Sequence, residues 1–136
     1  MINYQYYPKT SKLPKFLKTT IEEVFKKNAD IIDSSTNEYN SNDVLELLRK
    51  DFEHLNFQVE KSKLAKDKIK MPVLYGVNET IEKSFDADAF NEENKVVVEV
   101  EAGRAYVNNQ FLKDFFEAIV MNDVDYSIIS VRNDYR

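Results

Sequence analysis

The chain has 136 residues, two Gly, three Pro and no Cys, with 43% apolar and 32% charged residues, which fits one domain, 1–136, with a core of its own. Without cysteine, disulfides and thiolate metal sites are excluded. No apolar run approaches the roughly 20 residues of a membrane helix. The first eight residues, MINYQYYP, lack the basic start and apolar stretch of a secretion signal, so a cytoplasmic protein with no membrane partner is expected.

The net charge of −5 argues against a simple cationic glove for nucleic acid, but the positive charge is segregated. Six lysines stand against Glu22 and Glu23 in the first 27 residues. Lys61, Lys63, Lys66, Lys68 and Lys70 stand against Asp67 alone in the next basic run.

Leu13, Phe16, Leu17, Ile21, Val24, Phe25, Ala29 and Ile32 recur at helical spacing, predicting a helix over about 14–32 with Pro14 in its first turn. Residues 33–42 read as a polar linker, so that 1–42 form an N-terminal helix and linker before a core at 43–132. Asp43 followed by Glu46 resembles a capping box, and Val44, Leu47, Leu48, Phe52 and Leu55 give the stripe of a second helix over 43–55. FQVE at 57–60 predicts a short strand, the lysine run a loop or edge, and PVLYG at 72–76 another strand.

Residues 82–90 (EKSFDADAF) alternate, 91–94 (NEEN) predict a turn, and 95–101 (KVVVEVE) are β-branched, together predicting a hairpin. A helix over 107–121, with Phe111, Leu112, Phe115, Phe116, Ile119 and Val120 as its apolar stripe, and a buried strand at 126–131 complete the chain. The order predicts an α/β fold, a mixed sheet flanked by helices with an extra helix at the N-terminus.

Side chains alternate on a strand, so Asp86 and Asp88 share one face of the hairpin, as do Glu99 and Glu101. Pairing Phe90 with Lys95 across the turn sets Asp86 opposite Glu99. Like charges across a ladder are destabilising. Carboxylates clustered on a strand buried on both faces need raised pKa values or a hard cation such as Mg²⁺. A solvent-facing acidic ladder is the equally weighted alternative. His54 reads as structural or surface, and Tyr4, Tyr6 and Tyr7 as packing residues or part of a disordered end.

An Asp on one arm of a hairpin, then VVVEVEAGRA, a helix and a buried strand resemble the PD-(D/E)XK nuclease superfamily of restriction endonuclease-like fold. The resemblance spans about 43–132 and implies an αβββαβ core. It is nearest to type II restriction endonucleases that carry Glu in place of the motif Lys. It implies Asp86 as the motif aspartate, with Asp88 as alternate, Glu99 at the (D/E) position and Glu101 at the Lys position, these acids holding Mg²⁺ or Mn²⁺. Glu46 loosely resembles an acid on the preceding helix, and Phe85 stands where the motif has Pro. The implied activity is hydrolysis of DNA, with Glu101 as general base or Lys113 reaching in from the next helix. Lys61 to Lys70 would meet phosphates, and cutting both strands would favour a homodimer. A catalytically inactive member that binds nucleic acid or protein is the alternative.

Overall fold

The computed structural model describes residues 2–33, 36–61, 64–101 and 110–132. It is a mixed α/β structure in which four α-helices accompany a four-stranded mixed sheet and a two-stranded antiparallel one. The predicted first helix is present but interrupted: α1 (Lys15–Thr20) runs on as a π-helical turn (Ile21–Lys26), breaks at Lys27 and Asn28, and resumes as α2 (Ala29–Ile32). Asn28 is buried at the break and donates from its side chain to Val24 O at 2.7 Å and Asp51 Oδ2 at 2.8 Å.

Helix α3 (Ser41–His54) starts earlier than its sequence suggests. Asn40 is the N-cap and Asp43 the third residue of a reciprocal capping box, so Asp43 and Glu46 do not form one. Its core face is Val44, Leu45, Leu48 and Phe52, while Leu47 is exposed. Beyond Leu55 the chain reverses at Asn56 in the left-handed region, and β1 (Gln58–Val59) follows.

Strand β2 (Ile69–Tyr75) is longer than predicted and begins inside the lysine run. It pairs with β3 (Ile81–Ala87), and Pro72 is tolerated because this sheet has only edge strands. The predicted alternating strand is bent at Asp88. Its first part, β3, belongs to the small sheet, and its second, β4 (Ala89–Asn91), to the large one.

The large sheet has the order β1-β4-β5-β6, with β5 (Val96–Glu101) antiparallel to β4 and parallel to β6 (Tyr126–Val131). A parallel neighbour requires a crossover, which contains α4 (Gln110–Val120). Residues 107–109 of the predicted last helix lie outside the described residues. Strand β6 is half-buried to exposed, contrary to the buried strand expected, because it is an edge with one ladder partner.

Strand β5 separates two apolar clusters. Val96, Val98 and Val100 belong with Leu17, Val24, Phe25, Leu48 and Phe52 of the N-terminal helices. Val97 belongs with Met71, Ala87, Phe90, Ala118 and Met121 on the α4 side.

Helix α4 is turned over relative to its sequence pattern. Asp114, Glu117 and Ala118 are buried along it and Met121 just after it, whereas Leu112, Phe115, Phe116 and Ile119 are exposed. Two acids face inward because they meet the polar continuation of the β5 face that begins with Val97.

Candidate functional site

The hairpin turn decides which acids meet. Ala89 pairs with Val98, Phe90 with Val97 and Asn91 with Val96, so Phe90 does not pair with Lys95. Asn91 stays in the strand because its buried side chain is used twice: its amide donates to Leu55 O at 3.0 Å, and its Oδ1 accepts from Asn94 N at 2.8 Å. The turn then closes through Lys95 at a φ of 56°. Each end of the turn lies one residue later than predicted, which moves the pairing by two. A shift of two keeps every side chain on its face and changes only its opposite number.

The continuation of that register brings Asp88, not Asp86, against Glu99, and their carboxyls are hydrogen-bonded. Asp88 Oδ2 also accepts from Val100 N at 2.8 Å. Asp86 lies opposite Lys70 in the small sheet. Its carboxylate is 2.9 Å from Lys70 Nζ and 3.2 Å from Lys68 Nζ, and Lys68 also stands 3.7 Å from the buried Glu60. Burial pushes Asp86 up, but the two lysines outweigh it and hold its carboxyl below the usual carboxylate range. Lys68 is correspondingly raised by Asp86.

Glu99 is 7% exposed, and its Oε1 is buried without a hydrogen-bond partner. Burial first, then Asp88, Asp114 and Glu117, pushes its carboxyl up to about 10, so it is protonated at neutral pH. Glu101, half-buried at the end of β5, is pushed up to about 7 by burial and by its hydrogen bond to Asp114, with Lys113 pulling back. Burial also raises Glu117, against the pull of Lys113, whose Nζ is 3.7 Å from Glu117 Oε1. Glu117 senses Asp86 as well as Asp114. The acids of the bent strand, β5 and α4 therefore form one electrostatic cluster, with Lys113, Lys68 and Lys70 at its margins.

Asp88, Glu99, Glu101 and Lys113 of the sequence-derived set come together, whereas Asp86 sits beside them in a lysine clamp. Glu46 is exposed and takes Arg49 Nε at 2.8 Å instead of adding to the cluster. Lys61 and Lys66 are exposed, Lys68 and Lys70 are engaged with Asp86, and Lys63 lies outside the described residues.

Sequence reasoning missed Asp114, Glu117 and Glu60. Asp114 and Glu117 are three apart on α4, away from its apolar stripe, a spacing that marks a second, polar face. Glu60 gave no such signal.

Among the described residues, no group of three His, Cys, Asp or Glu side chains stands ready-made to hold a metal ion. The acids are instead closed on one another, Glu99 on Asp88 and Glu101 on Asp114. The donor set is nonetheless all carboxylate oxygen, the kind that hard cations take, and Glu99 Oε1 is a buried oxygen with no donor. A cavity of about 360 Å³ lies elsewhere, on the helix side of the sheet, among Lys15, Phe16, Thr20, Leu55, Phe57 and Val96. Comparison with family models, with curated proteins and with solved structures yields no match to this chain.

Proposed function

We propose that the chain is a metal-dependent nuclease of restriction endonuclease-like fold that hydrolyses DNA phosphodiester bonds. The observation that carries this reading is the meeting of Asp88 across the bend with Glu99 and Glu101 on the central strand. These carboxyls are so crowded and buried that Glu99 holds a proton at neutral pH. Within the large sheet the order α3, β1, β4, β5, α4, β6, with β1, β4 and β5 linked antiparallel and β6 parallel to β5, also suits an αβββαβ core, with β2 and β3 forming a separate pair between β1 and β4.

Mg²⁺, or Mn²⁺ as its substitute, would be held by Asp88 and Glu99, with Glu101 adjoining. When bound it supplies Lewis acidity toward a phosphoryl oxygen and a lowered pKa for water. Glu101, with a pKa of about 7, is poised to take a proton at neutral pH. Lys113 lowers the pKa of Glu101 and keeps part of it ionised. Asp86 orders Lys68 and Lys70 at the edge of the site, where positive charge offsets the repulsion between a polyanion and the acids. The motif aspartate is thus Asp88 in this reading, with Asp86 recast as a lysine-positioning residue.

Nicking of supercoiled plasmid and genomic DNA with Mg²⁺, with Mn²⁺ and with EDTA tests the proposal. Metal-dependent nicking lost on Glu99→Ala is the expected result. The closure of the acids upon one another favours a second reading, a catalytically inactive member of the fold that binds nucleic acid or protein. DNA retention without nicking under any metal assigns the chain to that class.

A further inference from the structure

The side of α4 facing away from the acids is the largest exposed apolar feature of any described helix. Leu112, Phe115, Phe116 and Ile119 are 57%, 51%, 59% and 64% exposed. They fall at helical spacing along an 11-residue helix, so they form one stripe. Soluble monomers rarely leave contiguous patches of this kind uncovered.

We infer that this stripe is the interface for a second copy of this chain, packed α4 against α4 about a two-fold axis. The area supports it. Side chains of this size present roughly 200 Å² each when free, so the stripe offers on the order of 450 Å² of apolar surface. A standard interface buries about 800 Å² per partner, of which about 56–65%, or roughly 450–520 Å², is apolar. One helix face therefore meets the apolar requirement, and the polar flanks complete the rim.

The chemistry of the stripe selects the occupant. An interface between copies must complement itself, and a stripe with no charge on it does so. In the antiparallel arrangement Leu112 meets Ile119 of the partner subunit, and Phe115 and Phe116 lie near the axis. A bilayer is a poor occupant. The only base among the described residues of α4 is Lys113, and a chain of net charge −5 is repelled by anionic lipid.

Light scattering coupled to size exclusion on the full chain, from low micromolar to submillimolar concentration, is the primary test. A mass rising to twice 16.0 kDa is expected, and the double substitution Phe116→Glu with Ile119→Glu should hold it at 16.0 kDa. Both positions are exposed, so far-ultraviolet circular dichroism should be unchanged. The absence of native cysteine permits a second measurement that does not rely on that variant. Leu112→Cys and Ile119→Cys chains, mixed in equal amounts and oxidised, should give the mixed disulfide well beyond the roughly twofold excess over either homodimer that random pairing produces. A mass of 16.0 kDa at every concentration, a dimer indifferent to the glutamates, a mixed disulfide at no more than the random-pairing yield, or recruitment of the monomer to lipid vesicles would each overturn the inference.

Discussion

Val96, Val98 and Val100 on one face of β5 sit in the cluster of Leu48 and Phe52, while two and four residues past Val97 the other face carries Glu99 and Glu101 under the acids of α4. Backbone, ladder and depth are shared by the two faces; the side chains differ. The valine face gains from every area it buries. The glutamate face buries carboxyls that must keep protons or find a cation, which opposes folding as those protons leave. A strand so divided has one face stabilising the fold and another whose composition stability does not explain. In the proposed reading, chemistry is the reason for the second.

Four experiments test that contrast. The largest effect is expected in catalysis. Glu101→Ala should lower the plasmid-nicking rate by about 10² to 10⁴ if this carboxyl is the general base, with DNA retention unchanged. Glu101→Lys, which restores the usual motif residue, should retain or alter cleavage. An Ala variant as fast as the parent would remove Glu101 from the chemistry.

Stability should respond in opposite senses on the two faces. Phe52→Ala, at a fully buried position of the valine-side cluster, should cost about 3–5 kcal/mol in urea unfolding. Glu99→Gln, which keeps the hydrogen bond to Asp88 and cannot ionise, should be neutral or stabilising at pH 8. If the Gln variant is weakened as much as the Ala one, the two faces are alike and the contrast fails.

The pH dependence follows from sign. Glu99 and Glu101 have native pKa values raised to about 10 and about 7 from an ordinary 4.5. The native state therefore holds protons that the unfolded state releases. Their contribution is fully present below 4.5 and is lost as pH rises, first through about 7 and then toward 10. Asp86, held low by Lys70 and Lys68, contributes oppositely, above its ordinary 3.8, and is lost on acidification. Unfolding free energy should thus decline from pH 5 to pH 9, and Glu99→Gln should flatten the decline. If Mg²⁺ binds these acids as proposed, it competes with their protons, and its stabilisation, about 2–3 kcal/mol at a hundredfold excess over Kd, should be larger at pH 8 than at pH 6 in thermal melts.

The smallest effects belong to the lysine run. Lys61→Gln and Lys66→Gln should each reduce the slope of log affinity for DNA against log salt by about one unit where they meet a phosphate. Lys70→Gln should change less in binding because that lysine is already paired with Asp86. Equal slopes for all three variants would show that the clamp at Asp86 is open in solution.

Much of the scaffold was legible because its periodicities are strong: the helix around 43–55, the valine strand and the crossover order all follow from spacing. The partner of Glu99 was not. The turn could close on Phe90 and Lys95 or on Asn91 and Val96, and the choice was made by a bond from Asn91 to Leu55, 36 residues away. Alternation still named the correct face, since a shift of two preserves it. Helix α4 misled for a different reason. Its apolar stripe was plain and marked the helix, but not which side faces in: Asp114 and Glu117 are buried toward the acids on β5 and the stripe is exposed. The break at Asp88 was hidden as well, since Ser84 to Ala89 alternates straight across it from one sheet to the other.

The bend sets a constraint on how position 88 can vary. Where the strand leaves β5, the N–H of Val100 has lost its expected cross-strand carbonyl, and the carboxylate of Asp88 accepts it in its place at 2.8 Å. The same carboxyl hydrogen-bonds Glu99. Truncation to alanine strands a buried donor, worth about 1–3 kcal/mol, at the moment it removes an oxygen from the acids. In a mutational scan scored by activity, therefore, every Asp88 substitution without a side-chain oxygen loses both roles at once, and its score does not tell them apart. Asparagine is the informative allele, because it can mend the ladder while lacking the charge, and the distance between its score and that of alanine measures scaffolding apart from chemistry.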